Sequence, residues 1–150
     1  MSLVLTAMTA KLMAKAYLIT ASKDHAEAAV KGGFIQAGHG KKSSIAKLRK
    51  GDGIVIYSPA TEFEGGEKCQ KITAVGEVSC DEVYRTEQNA NFKPYRVDVL
   101  YNEIQPKDFR DFLDLLSFVK NKKAWGMYVR NSIREIPRKD FRLIRDQVAK

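Results

Sequence analysis

Gly32-Gly33-Phe34-Ile35-Gln36-Ala37-Gly38-His39-Gly40-Lys41-Lys42 breaks a helical pattern with four glycines and then runs into Ser43-Ser44. Glycine at this density lets a backbone take up positive φ and approach another molecule closely. A segment that only connects two elements needs turn residues. It has no need of Phe34, Gln36, His39, Lys41 and Lys42 in one turn. Gly33, Gly38 and Gly40 are therefore read as close-approach positions. The polar side chains between them suit a planar, hydrogen-bonding ligand.

Outward from this stretch the elements fall into place. Upstream, Ala16 to Ala21 is β-branched and aromatic-rich and reads as a buried strand. Ser22 is placed to cap a helix from Lys23 to Val30, and Lys31-Gly32-Gly33 ends it. Downstream, Ser43 or Ser44 is expected to cap a short helix over Ile45–Leu48. A turn at residues 49–53 leads into a strand, Ile54–Ser58. Pro59 to Glu67 reads as a mobile polar loop. Cys69 to Asp81 reads as a long strand with Gly76 as a bulge or a close approach. Tyr95–Tyr101 alternates as a strand. Pro106 opens an expected helix carrying Phe109, Phe112, Leu113, Leu116 and Phe118. Trp125–Val129 reads as a short strand, and a last helix after Pro137 carries Phe141, Ile144 and Val148. The class is α+β: strands paired mainly through hairpins, curled into a small barrel with helices on its ends and one side.

The 150 residues suit one domain with a real core. Residues 16–150 are assigned to it, and residues 1–15 to a tail. The net charge of +8 favours a polyanionic partner, nucleic acid first, although a basic surface also serves solubility alone. Cys69 and Cys80 form no disulfide framework and stand in no His/Cys cluster. Two buried thiols in a reducing cytoplasm, with no metal and no cofactor, is the expectation. The apolar run near the N-terminus is too short and too polar to span a bilayer.

Four segments together resemble the EVE domain, a branch of the PUA-like superfamily that also holds the YTH and ASCH domains. They are Tyr17-Leu18-Ile19-Thr20 with Ser22-Lys23-Asp24-His25; Gly32 to Gln36 through His39-Gly40-Lys41; Lys50-Gly51-Asp52 through Ile56-Tyr57-Ser58-Pro59; and Ser117 to Gly126. Their order is similar to that of stand-alone bacterial EVE proteins. The resemblance implies a curved mixed sheet forming a pseudo-barrel, with a pocket at one end. Superfamily relatives flip a modified base out of RNA or DNA into that pocket. Where relatives often place glycine after the arginine that follows the tryptophan segment, this chain has Arg130-Asn131-Ser132.

A base pocket needs π faces, groups along the base edge and cations for the phosphates. Trp125, Phe34 and Tyr57 are candidate walls, each with a packing role as the plain alternative. Gln36, His39 and Ser58 are candidate edge readers. Lys41, Lys42, Lys122, Lys123 and Arg130 are candidate phosphate contacts, and otherwise a solvated basic surface. Gly126 beside Trp125 leaves room for a ring. His39 has no neighbouring carboxylate or nucleophile, so it reads as a hydrogen-bond donor rather than a catalyst. The expected function is non-catalytic recognition of a methylated or hydroxymethylated base in DNA or RNA. The rivals are a nucleotide-processing enzyme or nuclease in the same pocket, and a module for a small ligand or a protein.

Overall fold

The computed structural model describes residues 14–150. The elements run β1 (Ala16–Thr20), α1 (Lys23–Gly32), β2 (Phe34–Ile35), a 3-10 turn (Gly38–Gly40), α2 (Lys42–Ile45), β3 (Gly53–Ala60) and β4 (Lys68–Val78). They continue with β5 (Tyr84–Arg85), β6 (Tyr95–Tyr101), β7 (Lys107–Asp108), 3-10 segments at Phe109–Phe112 and Lys122–Tyr128, β8 (Ile133–Ile136) and α3 (Arg138–Val148). The sheet order is β2-β6-β4-β3-β1-β8, with β5 added on β6 and β7 on β4. β1 and β3 pair in parallel and the other pairs are antiparallel, so the sheet is mixed.

β1 and β3 are continuous apolar runs because both faces of the sheet are covered. Tyr17, Ile19, Ile54 and Ile56 point to one core, with Ala26 and Ala29 of α1 and with Ile45 and Leu48. Leu18, Val55 and Tyr57 point to the other, with Phe109, Phe112 and the α3 residues Phe141, Ile144 and Val148. The period-2 geometry of a strand divides each run between the two cores. Fully burying each such side chain contributes about 1.5–3 kcal/mol.

Ala14 is buried, and the Lys15 backbone N–H donates to Asp52 Oδ1 at 2.9 Å. The rest of the expected tail, residues 1–13, lies outside the described residues. Gly33 ends α1 as expected, at φ +68 with its N–H directed to the Ala29 and Val30 carbonyls.

Other expectations are corrected. Ser22 precedes α1 but its hydroxyl donates to Asp24 rather than capping the helix. Ser43 and Ser44 lie inside α2, which starts at Lys42, so neither is its cap. The Pro106 helix is absent. Lys107 and Asp108 pair with β4 instead, and Asp108 then caps a 3-10 turn by accepting the Arg110 N–H. The three-residue step from Phe109 to Phe112 suits that turn as well as an α-helix. Trp125–Val129 is a 3-10 segment rather than a strand. Asn121 Oδ1 accepts the Lys123 and Ala124 N–H groups and starts helical winding there. Of the two alternatives expected at Gly76, the close approach holds and the bulge does not. Gly76 keeps register with Ile54 and Tyr101, and a Cβ there would lie 2.6 Å from the Leu100 carbonyl oxygen. The register shifts of β4 fall instead between Ile56 and Tyr57 and between Ser58 and Ala60. Cys69 and Cys80 are free and half-buried rather than buried.

Candidate functional site

The ends of β1 and β3, the start of β4 and the 3-10 segment Lys122–Tyr128 enclose one concave pocket of about 640 Å³. This lies within the roughly 300–1,000 Å³ typical of small-ligand sites. Its apolar wall is built by Tyr57, Pro59, Trp125, Met127 and Val129, and its polar groups by Thr20, Gln70 and Arg130.

The tryptophan is held from behind. Its ring lies 5.4 Å from Phe109, tilted by 38°, and 6.2 Å from Tyr57 in an edge contact at 87°. Those two rings belong to the core, while the indole is only half-buried and walls the cavity. The segment that carries it is tied at both ends. Asn121 winds its start, and the Thr20 hydroxyl donates to the Val129 carbonyl at 2.7 Å. Thr20 therefore offers a ligand only its lone pairs.

Gln70 is the polar residue that no sequence pattern marked. It is one of two non-glycine residues at positive φ among those described, at +54. It sits where β4 slips register against Ser58–Ala60. A bulge of this kind re-aims side chains, and Gln70 lines the pocket. Nothing in the local sequence Cys69-Gln70-Lys71 signals a left-handed residue, because the bulge arises from pairing with a distant strand.

The sequence-derived site residues separate into groups. Tyr57, Trp125, Gly126 and Arg130 meet at the pocket. A Cβ on Gly126 would meet nothing within 4 Å, so its neighbourhood is open space. Lys122 and Lys123 are exposed on the same 3-10 segment. Ser58 is fully buried on the opposite face of β3 from Tyr57, and its oxygen shares a 2.7 Å hydrogen bond with Thr73 Oγ1. It is placed out of reach of the cavity.

The glycine-rich loop does not line the pocket. Phe34 and Gln36 lie on the β2–β6 edge, packed around Arg96. His39, at φ +59, sets its ring edge-on to Phe63 at 6.3 Å, and His25 stacks on the same phenyl at 5.5 Å. Lys42 lies over the Tyr95 ring at 5.9 Å, and Lys41 is exposed. The loop instead approaches the turn that follows Arg130, where a Cβ on Gly38 would reach within 3.8 Å of Ser132 Oγ. Gly40 is needed for sterics: its φ is +77, and a Cβ there would lie 2.5 Å from Pro94 Cβ. The turn itself needs no glycine after Arg130, since Asn131 does not adopt positive φ. The loop 61–67 is closed at its base by Thr61 N–H to the Glu67 carbonyl and Glu67 N–H to Thr61 Oγ1.

The Tyr57 hydroxyl stays neutral over the physiological range. Burial pushes its pKa up to about 12, with the Asp108 charge adding to the effect. Tyr101 is raised too, by burial, and its hydroxyl donates to the Phe34 carbonyl at 2.7 Å. In the unfolded chain both release their protons near pH 10. The folded protein therefore holds more protons between pH 10 and 12, and stability falls with rising pH across that window. Well below pH 10 these two groups leave it unchanged. Denaturant midpoints at pH 7, 8 and 11.5 are expected to be equal for the first pair and lower at the last.

A mixed, curled half-barrel sheet with helices on both faces and an aromatic-walled pocket at one end defines a PUA-like α+β domain. The chain belongs to the EVE domain family, whose model matches residues 15–147. A UPF0310 protein of Mycobacterium avium is 40% identical over 129 residues, covering 86% of this chain and 94% of that relative. The UPF0310 protein YdcG of Bacillus subtilis is 36% identical over 120 residues, covering 80% and 82%. Among solved structures, the YTH domain of Zygosaccharomyces rouxii MRB1 in complex with N6-methyladenosine RNA superposes with a TM-score of 0.57 at 13% identity, covering 92% of this chain and 88% of that one. Rpa0253 from Rhodopseudomonas palustris superposes with a TM-score of 0.56 at 18% identity, covering 89% and 92%. Among the described residues, no helix is long and apolar enough to cross a membrane, and no group of three or more His, Cys, Asp or Glu could hold a metal ion.

Proposed function

We propose that the protein is a non-catalytic reader of a modified base, methylated or hydroxymethylated, drawn from a DNA or RNA strand into the Trp125 pocket. The observation that carries this reading is the half-buried indole, braced by Phe109 and Tyr57, at the wall of a cavity large enough to admit a base and its sugar. Stacking on such a ring is worth about 1–3 kcal/mol. Pro59, Met127 and Val129 supply an apolar lining for a methyl group. Arg130 supplies a cation at the mouth. The structural likeness to a YTH domain bound to N6-methyladenosine RNA adds support.

The lining also favours binding over turnover. The titratable groups along it are Tyr57 and Arg130, and Tyr57 is raised to about 12 by burial. Neither is a general base near neutral pH. A single methyl provides only about 1–3 kcal/mol of discrimination, so graded preference over the plain base is expected. The test is a titration with short single-stranded and duplex DNA and RNA. Each carries plain, methylated or hydroxymethylated cytosine, or methylated adenine. Preference for one modified base supports the reading. Equal affinity for all of them removes it.

Gln70 supplies the edge contact in this reading, because its amide offers both a donor and an acceptor to a base. Replacing Gln70 with glycine preserves the left-handed backbone and deletes the side chain with its amide. The expected result is about a tenfold loss in affinity for the preferred oligonucleotide, as for the loss of a hydrogen-bonded contact worth about 1.4 kcal/mol. The melting temperature should hold or rise. Unchanged affinity in a folded Gln70→Gly protein would leave Gln70 as a bulge residue only.

A further inference from the structure

Away from the pocket, β6 presents one guanidinium that is fixed on every side yet paired with no anion. Arg96 Cζ lies 3.7 Å from the centroid of the Phe34 ring. Its Nε donates to Gln36 Oε1 at 2.8 Å, and its Nη2 donates to Gln88 Oε1 at 3.2 Å. The two amides are themselves linked, with Gln36 Nε2 donating to Gln88 Oε1 at 3.4 Å. No ion pair among the described residues includes Arg96. The exposed carboxylate two residues along β6, Asp98, forms no ion pair with it.

The hydrogen-bond inventory decides what such a cluster can bind. Arginine has five N–H groups, of which this network uses two. Both amide oxygens are turned inward to the guanidinium or its partner. The groups left over are the remaining arginine N–H donors and the amide N–H groups of Gln36 and Gln88. A patch dominated by donors, with its amide oxygens turned inward, suits an anion. A planar guanidinium held against a ring keeps its fork ready for two oxygens of one phosphate. On the other face of the strand, the Tyr95 ring gathers two more cations, Arg85 at 5.3 Å and Lys42 at 5.9 Å from its centroid. Arg96 is half-buried, and this desolvation lowers its pKa from the ordinary value.

We propose that Arg96, braced by Phe34, Gln36 and Gln88, is a phosphodiester-binding site for a nucleic-acid strand, distinct from the Trp125 pocket. The choice of a nucleic acid as the source of the phosphate rests on the reading under "Proposed function". The site explains why Phe34 and Gln36 stand in a glycine-rich segment without lining the pocket. They orient an arginine contributed by a strand some sixty positions later, as the Arg96–Gln36 hydrogen bond at a separation of 60 residues records.

The test uses an unmodified single-stranded RNA of eight nucleotides, read by fluorescence anisotropy at several salt concentrations. Wild type, Arg96→Ala, Arg96→Lys, Gln88→Ala and Trp125→Ala are compared, each checked for folding by its melting temperature. Arg96→Ala and Arg96→Lys are both expected to weaken binding about five- to tenfold. Arg96→Ala should also flatten the dependence of log affinity on log salt by about 0.7, the share of one phosphate on a single strand, while Arg96→Lys keeps the charge and should keep most of the slope. Gln88→Ala, at an exposed brace, is expected to give a smaller loss. Full binding by Arg96→Lys would overturn the braced fork in favour of simple charge. Unchanged affinity and salt slope in Arg96→Ala, or no binding of the RNA by wild type, would overturn the site. Loss of modified-base preference belongs to Trp125→Ala alone, so failure of the pocket reading would leave the Arg96 result standing. In a parallel arm, inorganic phosphate should shift the Arg96 Nε–Hε resonance weakly and the RNA should shift it strongly. A shift with phosphate alone would assign the site to free anions and overturn the strand.

Discussion

Trp125→Ala is expected to lower affinity for the preferred modified oligonucleotide by about 5- to 150-fold, the equivalent of about 1–3 kcal/mol of base stacking. The loss should fall mostly on the base, because in the proposed reading the indole stacks on the ring and touches no phosphate. The salt dependence of binding should therefore stay close to that of wild type. The substitution also removes packing against Phe109 and Tyr57. Since the indole is only half-buried, the stability cost should stay well below the 3–5 kcal/mol of a fully buried tryptophan, at about 1–2 kcal/mol. Trp125→Phe keeps a stacking face and should recover most of the affinity. Anisotropy titrations on all three proteins, with melting curves alongside, make the comparison. Full affinity in a folded Trp125→Ala protein would move the recognition surface away from this pocket.

The second large effect is on stability. Asp140→Ala is expected to cost about 3–5 kcal/mol, and a drop of about 10 °C or more in Tm. Asp140 is buried at 2% exposure on the first turn of α3. Its carboxylate accepts the Ser117 N–H at 3.1 Å, the Phe118 N–H at 3.0 Å, and the Ser117 hydroxyl at 2.9 and 3.0 Å. Alanine would leave these donors unpartnered in a part-buried position, at about 1–3 kcal/mol each before relaxation. The contact has a functional side too. Ser117 and Phe118 lead directly into the segment that carries Trp125, so its anchor on α3 sets one wall of the pocket. Asp140→Asn keeps an acceptor oxygen and should lose less, and thermal unfolding of the three proteins ranks them. Wild-type stability in Asp140→Ala would show that these hydrogen bonds are replaced by water at no cost.

Much of the framework was legible from the residues. The apolar runs of β1 and β3, the alternation of β6, the Gly33 cap and the amphipathic last helix each carry their own local signal. The short elements did not. β5, β7 and β8 are two to four residues long and exist because a neighbouring strand supplies their partners. At Trp125–Val129, aromatic and β-branched content argued for a strand, while Asn121 Oδ1 took the N–H groups of Lys123 and Ala124 and wound the segment into 3-10 helix. The site divides in the same way. Trp125, Tyr57, Gly126 and Arg130 could be named from residue type and family pattern. Gln70 and the bracing of Arg96 could not, because both depend on pairings between strands far apart in the chain.

The sequence by itself determined the mixed α+β class, the EVE family and a basic chain with one tryptophan beside a flexible-backbone position. The class and the charge follow from periodicity, turn chemistry and composition, and the family from the resemblance of four segments; all are properties of the local sequence. Only the tertiary structure decided that the glycine-rich segment serves Arg96 and the turn after Arg130 rather than the pocket itself. It alone turned Ser58 inward to Thr73 and Gln70 toward the cavity. The physical reason is that a strand residue's face is set by register. Register in β4 shifts twice against β3, and those shifts are set by the pairing of whole strands and by no residue alone.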